Sequence, residues 1–272
     1  MITQTNRIDQ LFSDRSTKKF IPFITVGDPT IELTEQIVYK LVEAGADCVE
    51  LGIPYSDPLA DGPTIQRASQ RALAGRVSIS VALQLVERLR NSGVTIPLVL
   101  FTYFNPVLQF GIERFFTKLS HAGVDGVVIP DLPFEENEEV VTAAKATGLH
   151  LISLVAPTSE SRVSMIARQA SGFVYCVSSL GVTGVRSSFH ANVQPFLTQV
   201  RSHTDTPLAV GFGISSPEQV REFAPFADGI IVGSAIVQEI EQNIDLLLAP
   251  ERREEGLNRI KTFVQNLAGA LK

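Results

Sequence analysis

Two cysteines and four histidines in a chain of 272 residues leave little material for a disulfide framework or a metal centre. Cys48 and Cys176 both fall in strand-like apolar runs, where a reduced, buried thiol is the expected state. His121, His150, His190 and His203 show neither an H-x-x-x-H nor a Cys–His ligand spacing, so no metal is expected. No run of about 18 apolar residues is present, which argues against a membrane-spanning helix. The first nineteen residues are polar and charged and lack the apolar segment of a secretory signal, so a cytoplasmic protein is expected. A basic stripe is also missing. The net charge is −6 with pI ≈ 5.3, and the lysines and arginines are dispersed, which speaks against nucleic acid or an anionic membrane as partner.

What is present is core. With 44% hydrophobic residues over this length, residues 1–272 are expected to form one large α/β domain. Short β-rich runs at 20–25, 47–53, 97–102, 126–130, 149–155, 172–178, 207–212 and 228–232 alternate with helical periodicity. Apolar stripes recur at Ile37, Val38, Leu41 and Val42, at Val81, Leu85 and Leu89, at Ile112, Phe115, Phe116 and Leu119, and at Val163, Ile166, Ala167 and Ala170. Ser216-Pro217-Glu218-Gln219 reads as a capped helix start, and Leu257, Ile260, Val264, Leu267 and Leu271 mark a final amphipathic helix. Eight alternations predict a closed (β/α)8 TIM barrel with a short additional N-terminal helix, although an open doubly wound sheet uses the same alternation. Ala44-Gly45-Ala46-Asp47 and Ala122-Gly123-Val124-Asp125 precede the second and fourth strands, and Ala227-Asp228-Gly229 echoes them before the eighth. A common helix–Gly–strand turn is sufficient explanation for the echo.

One strand carries a misfit. In 47–53, Glu50 shares a face with Cys48 and Gly52, while Val49, Leu51 and Ile53 share the other, so the carboxylate is predicted to point into the barrel. A carboxylate buried there must be paired, hydrogen-bonded or protonated with a raised pKa, and each of these suits acid/base chemistry as well as a structural network. Asp61 follows in the loop after that strand, at the end of a barrel where active sites lie.

Glycines gather on the same side: Gly181-Val182-Thr183-Gly184 after strand six, Gly211-Phe212-Gly213-Ile214-Ser215 after strand seven, and Gly233-Ser234 after strand eight. Backbone amides there could cradle a phosphate, with a helix starting near Ser234 aiming its positive end at the anion. Lysines avoid this end. Lys40, Lys118, Lys145 and Lys261 fall on predicted helices, and Lys18 and Lys19 precede the first strand, so a Schiff base has no candidate. Carbon–carbon bond chemistry here would rest on carboxylates and an electron sink within the substrate.

Pro22-Phe23-Ile24-Thr25-Val26-Gly27-Asp28-Pro29, the long segment from Glu50 to Pro63, Gly181-Val182-Thr183-Gly184 and Gly211-Phe212-Gly213-Ile214-Ser215 together resemble the α-subunit family of tryptophan synthase, over nearly the whole chain. The resemblance implies retro-aldol cleavage of indole-3-glycerol phosphate to indole and glyceraldehyde 3-phosphate, with no cofactor in this subunit. It implies Glu50 as general acid/base and Asp61 as the group that stabilises positive charge at the indole nitrogen. Thr183 would help position the Asp61 loop, Gly184, Gly213, Gly233 and Ser234 would contact phosphate, and Phe23, Tyr103, Tyr175 and Phe212 would wall the indole. Pro130 and Ser153 stand at pocket positions where Ala and Ile are familiar in the family.

Asp131 and Pro133-Phe134-Glu135-Glu136 read first as acids complementing a helix dipole, and Asp131 is given no catalytic role. The resemblance further implies a pyridoxal-phosphate β subunit as partner in an α2β2 assembly, contacted through loops that carry Asp57, Asn105 and Pro133. A free-standing indole-3-glycerol-phosphate lyase would share the catalytic residues, and a non-catalytic barrel that binds a phosphorylated ligand would need neither acid.

Overall fold

The computed structural model describes residues 5–157, 160–177, 193–211 and 213–272. Its eight strands are β1 (Lys19–Thr25), β2 (Val49–Gly52), β3 (Leu98–Phe101), β4 (Gly126–Val128), β5 (His150–Val155), β6 (Val174–Val177), β7 (Leu208–Gly211) and β8 (Gly229–Val232). They are parallel and pair in sequence order, with β8 closing on β1, so the barrel expected from the alternation is formed and the open sheet is excluded. β1 begins one residue before its predicted window and the other seven strands lie inside theirs, trimmed by a residue or two at most ends.

Strand alternation separates two apolar layers. Val49, Leu51, Leu98, Leu100, Val174, Cys176, Leu208 and Val210 belong to the large layer between sheet and helices. Ile21, Cys48, Val99, Val128, Ile152, Phe173, Ala209 and Ile231 fill the barrel interior. Both faces of a barrel strand are covered, so the strands read as nearly continuous apolar runs. Both cysteines are free and buried. The expected N-terminal helix, Arg7–Leu11, is capped by the Asn6 side chain and sends Ile8 and Phe12 into the interior layer. It closes the floor of the barrel.

The echo noted before the even strands has a physical cause. Asp47 donates its backbone N–H to the Phe20 carbonyl and accepts the Phe20 N–H on its carboxylate at 2.7 Å. Asp125 does the same to Leu98, with a 2.8 Å side-chain bond, and Asp228 to Leu208 at 2.8 Å. Each aspartate thus brackets the first residues of the preceding odd strand. Asp125 is also held by Arg90 at 2.7 Å and Arg7 at 2.9 Å, while Arg90 donates to the carbonyls of Gly123, Val94 and Ile96.

The helices answer the periodicity. Ile31–Glu43, Ile79–Asn91, Ile112–Ala122 and Glu160–Gln169 carry the four named stripes, and Arg253–Gly269 is the final helix. Ser216 forms the full capping box with Gln219 at the start of Pro217–Phe223. Pro63–Ala74 has no bulky stripe. Beside Ile65 it buries Ala68, Ser69 and Ala72, small residues that let it lie close to the barrel.

Two expectations are corrected by the packing. Asp131 does not serve the helix that follows it in sequence. Its carboxylate accepts the Phe104 N–H at 2.8 Å, capping the helix Phe104–Phe110 that leaves the neighbouring strand. Ser153 is on the wrong face for a pocket residue, because Val155, which shares its parity, packs in the helix-facing layer and the interior positions of β5 are Ile152 and Leu154. Among the described residues, no helix is long and apolar enough to cross a membrane, and no group of three His, Cys, Asp or Glu side chains is placed to hold a metal ion.

Candidate active site

Glu50 sits on the inner face of β2, opposite Phe23 of β1 and Val99 of β3. It is 2% exposed, and neither carboxylate oxygen has a hydrogen bond of ordinary geometry. Loss of hydration, followed by the nearby charge of Asp61, pushes its pKa up to about 8, and the Tyr175 hydroxyl offsets this only in part. At neutral pH the group therefore holds its proton. Asp61, 5% exposed, lies two residues before the helix Pro63–Ala74. Burial raises its pKa to about 6, against the opposing influence of the Tyr103 hydroxyl, so it is mainly ionised at neutrality. Two carboxyl groups of one cavity are thus held in opposite protonation states by their surroundings.

Aromatic rings surround this pair. Phe23 meets Phe101 edge-on at 5.8 Å, Phe101 meets Tyr103 edge-on at 6.1 Å, and Tyr55 stacks on Tyr103 at 5.0 Å. The Tyr103 hydroxyl accepts the Ala60 N–H at 3.1 Å, which ties the Asp61 loop to the wall. Tyr175 projects inward from β6, and burial first, then the charges of Glu50 and Asp61, pushes the pKa of its hydroxyl up. Two glycines make room for these rings. A Cβ on Gly52 would fall 2.5 Å from the Phe23 ring, and one on Gly211 would fall 2.8 Å from the Tyr175 ring.

On the connections after β7 and β8, Gly213 turns through a left-handed φ of 69°, and Gly233 precedes the helix Ser234–Gln242, whose first residue is buried. The amides of a first helical turn have no partner within the helix, and the dipole favours an anion there. Thr183, Gly184 and Phe212 lie outside the described residues. Phe101 and Tyr55 were not anticipated as wall residues. For Phe101 the signal was available, since it shares parity with inward-facing Val99 in the same run.

The model of the tryptophan synthase alpha chain family matches residues 10–272. The chain belongs to this family. Tryptophan synthase alpha chains from Geobacillus sp. (strain WCH70) and Bacillus subtilis (strain 168) are 52% and 49% identical to it, each covering 93% of this chain, and 96% and 95% of the respective relative. The crystal structure of tryptophan synthase subunit alpha from Legionella pneumophila str. Paris superposes with a TM-score of 0.88 at 36% identity, covering 98% of this chain and 99% of that one. The family reaction is a carbon–carbon lyase step, the cleavage of indole-3-glycerol phosphate to indole and glyceraldehyde 3-phosphate in tryptophan biosynthesis.

The loops expected to meet a partner reach the surface at the same end of the barrel. Asp57, Asn105 and Pro133 are exposed on the connections after β2, β3 and β4. Asn105 donates to the Tyr55 hydroxyl at 3.3 Å, linking the first two of these loops. Leu59, 79% exposed, stands beside a cavity of about 300 Å³ lined by Tyr55, Asp57, Pro58 and Gln66.

Proposed function

We propose that Glu50 carries the proton and Asp61 the charge in this lyase reaction. The observation that carries the reading is the pair of neighbouring buried carboxyl groups, Glu50 on β2 and Asp61 in the loop after it, whose surroundings raise the pKa of Glu50 to about 8 and that of Asp61 only to about 6. Glu50 delivers its proton to the indole C3 that bears the glycerol phosphate side chain. The ring becomes an indolenine whose nitrogen is cationic, and ionised Asp61 faces that charge in a site where water does not screen it. Glu50, now a carboxylate, takes the proton of the side-chain hydroxyl next to C3. The carbon–carbon bond breaks, its electrons return to the ring, and indole and glyceraldehyde 3-phosphate form with Glu50 protonated again. No net proton is consumed.

Phe23, Tyr103 and Tyr175 wall the indole, since flat apolar faces suit an aromatic ring. Gly213, Gly233 and Ser234 receive the phosphate, together with Gly184, while Thr183 and Phe212 complete the site from the segments not described. This subunit is assigned no cofactor; pyridoxal phosphate belongs to the β subunit, which takes up the indole in an α2β2 assembly in the cytoplasm. The exposed rim of Asp57, Leu59, Asn105 and Pro133 is the surface on which that partner is placed. Residues 1–272 act as one domain in this scheme.

The test is indole release from indole-3-glycerol phosphate by the wild type, Glu50→Gln and Asp61→Asn, each with and without a β subunit. Both variants are expected to lose turnover by roughly a hundredfold or more. Wild-type turnover in Glu50→Gln would remove the proton-carrying role, and no response of the wild type to the β subunit would remove the partner.

A further inference from the structure

Asp61 lies just before a helix and is tied to it by Gln66, whose side chain donates to the Asp61 carbonyl at 2.8 Å, and the far end of that helix is anchored by a charged junction. The helix Pro63–Ala74 starts two residues after Asp61, and Arg71 lies in its last turn. The Arg71 guanidinium grips Asp28 through Nε at 2.7 Å and Nη2 at 2.9 Å, and donates through Nη1 to Glu241 Oε1 at 2.7 Å. Arg67, one turn earlier, adds two bonds to Glu241 at 2.8 and 2.7 Å. Glu241 is in the last turn of Ser234–Gln242, the helix that begins at the proposed phosphate site. Asp28 is in the loop after β1, and its side chain is 1% exposed. One guanidinium therefore joins the β1 loop, the Asp61 helix and the phosphate helix.

We propose that Arg71 is a positioning residue for the lyase reaction, holding the Asp61 helix at a fixed setting against the helix whose opposite end receives the phosphate. The inference rests on the proposed roles of Asp61 and Ser234. The indole end and the phosphate end of the substrate face the starts of two helices, and the ends of those same helices are locked together by Arg71. A helix transmits displacement along its length with little bending, so a shift at Arg71 reappears at Asp61.

The chemistry of the junction explains why arginine stands there. A planar fork can occupy both oxygens of one carboxylate and still send a third N–H to another, which an ammonium on a flexible stem does not reproduce. Asp28 reinforces the point: its side chain is 1% exposed and both of its oxygens are taken by the Arg71 fork, so burial, which raises its pKa, is opposed by that one partner. Glu241, more exposed and served by two arginines, is held down at about 2 and stays ionised throughout.

The experiment is a double-mutant cycle on the steady-state cleavage of indole-3-glycerol phosphate, with the β subunit saturating, using Arg71→Gln, Asp61→Asn and the double variant. Arg71→Gln is expected to lower kcat by about ten- to a hundredfold, the size of effect that misplacing a reacting group produces, with KM changed by less than about threefold. In the Asp61→Asn background the same substitution is expected to change kcat by less than about twofold, because the group it positions is already neutral. Arg71→Lys should remain below wild type, and Glu241→Gln, which weakens the link between the two helices but leaves the Arg71–Asp28 fork in place, should give a smaller loss of kcat. These two variants carry the test if Arg71→Gln does not fold. An equal loss in both Asp61 backgrounds, or a lowered melting temperature with unchanged kcat, would overturn the proposal. Wild-type turnover in Asp61→Asn would instead overturn the role of Asp61 itself, which separates the two failures.

Discussion

Replacing Glu50 by Gln should change how the stability of this protein depends on pH. In the folded chain Glu50 holds its proton up to about 8, whereas in the unfolded chain it ionises near its ordinary value of 4.5. Between these limits the folded state binds more protons than the unfolded one, so stability is lost as pH rises through the window and levels off above it. The loss amounts to about tenfold in the unfolding equilibrium constant per pH unit, or about 3 kcal/mol by pH 7 and about 5 kcal/mol by pH 9 relative to acidic solution. Gln cannot ionise, so the variant lacks this dependence. Its absolute stability includes the cost of burying an amide with few partners, of order 1–3 kcal/mol, but that cost does not vary with pH. The informative quantity is therefore the difference between wild type and variant, measured by urea unfolding at several pH values. That difference should move in favour of Glu50→Gln from pH 5 to pH 8 and be flat beyond. Asp61 titrates in both proteins and cancels to first order. Parallel stability curves across this range would show that Glu50 is not held protonated by burial, and the argument from its surroundings to its chemistry would fail.

The pH dependence of kcat/KM should be bell-shaped, with an acidic limb near 6 as Asp61 ionises and a basic limb near 8 as Glu50 loses its proton; Asp61→Asn should abolish the acidic limb. Gly52→Ala should raise KM and cost about 1–3 kcal/mol of stability, since its Cβ would fall 2.5 Å from the Phe23 ring; an unchanged KM would remove Phe23 from the indole wall. Asp125→Ala should destabilise by about 3–5 kcal/mol in urea unfolding, because it strips the buried Arg90 of its carboxylate and breaks the bracket on Leu98; a loss below about 1 kcal/mol would show the bracket to be ornamental.

Much of this was legible in the residues because a barrel strand and its helix impose different periods. The parity of Cys48, Glu50 and Gly52 against Val49, Leu51 and Ile53 placed the carboxylate inside, and the two apolar layers divide as that parity requires. Pro63–Ala74 was not announced by a stripe, because its buried face is mostly small residues whose value is close approach rather than bulk. Asp131 misled because a cap across two loops is set by tertiary proximity, which sequence distance does not encode. Ser153 failed for a simpler reason: a pocket position borrowed from a resemblance is reversed by a slip of one residue. The Arg71 junction was equally silent, since Asp28, Arg71 and Glu241 are far apart in the chain and only the packing of three elements assembles them.

The short N-terminal helix plugs one end of the barrel. Ile8 and Phe12 pack in one buried cluster with Ile21, Val99, Val128 and Phe173 at the lower end of the barrel. With that end filled by apolar side chains, the other end, where the loops after the strands meet, is the one open to reactants and products. The indole walls and the exposed surface around Asp57, Asn105 and Pro133 stand at that open end, so whatever occupies it governs traffic in both directions. A lid there decides where the contents of the barrel go.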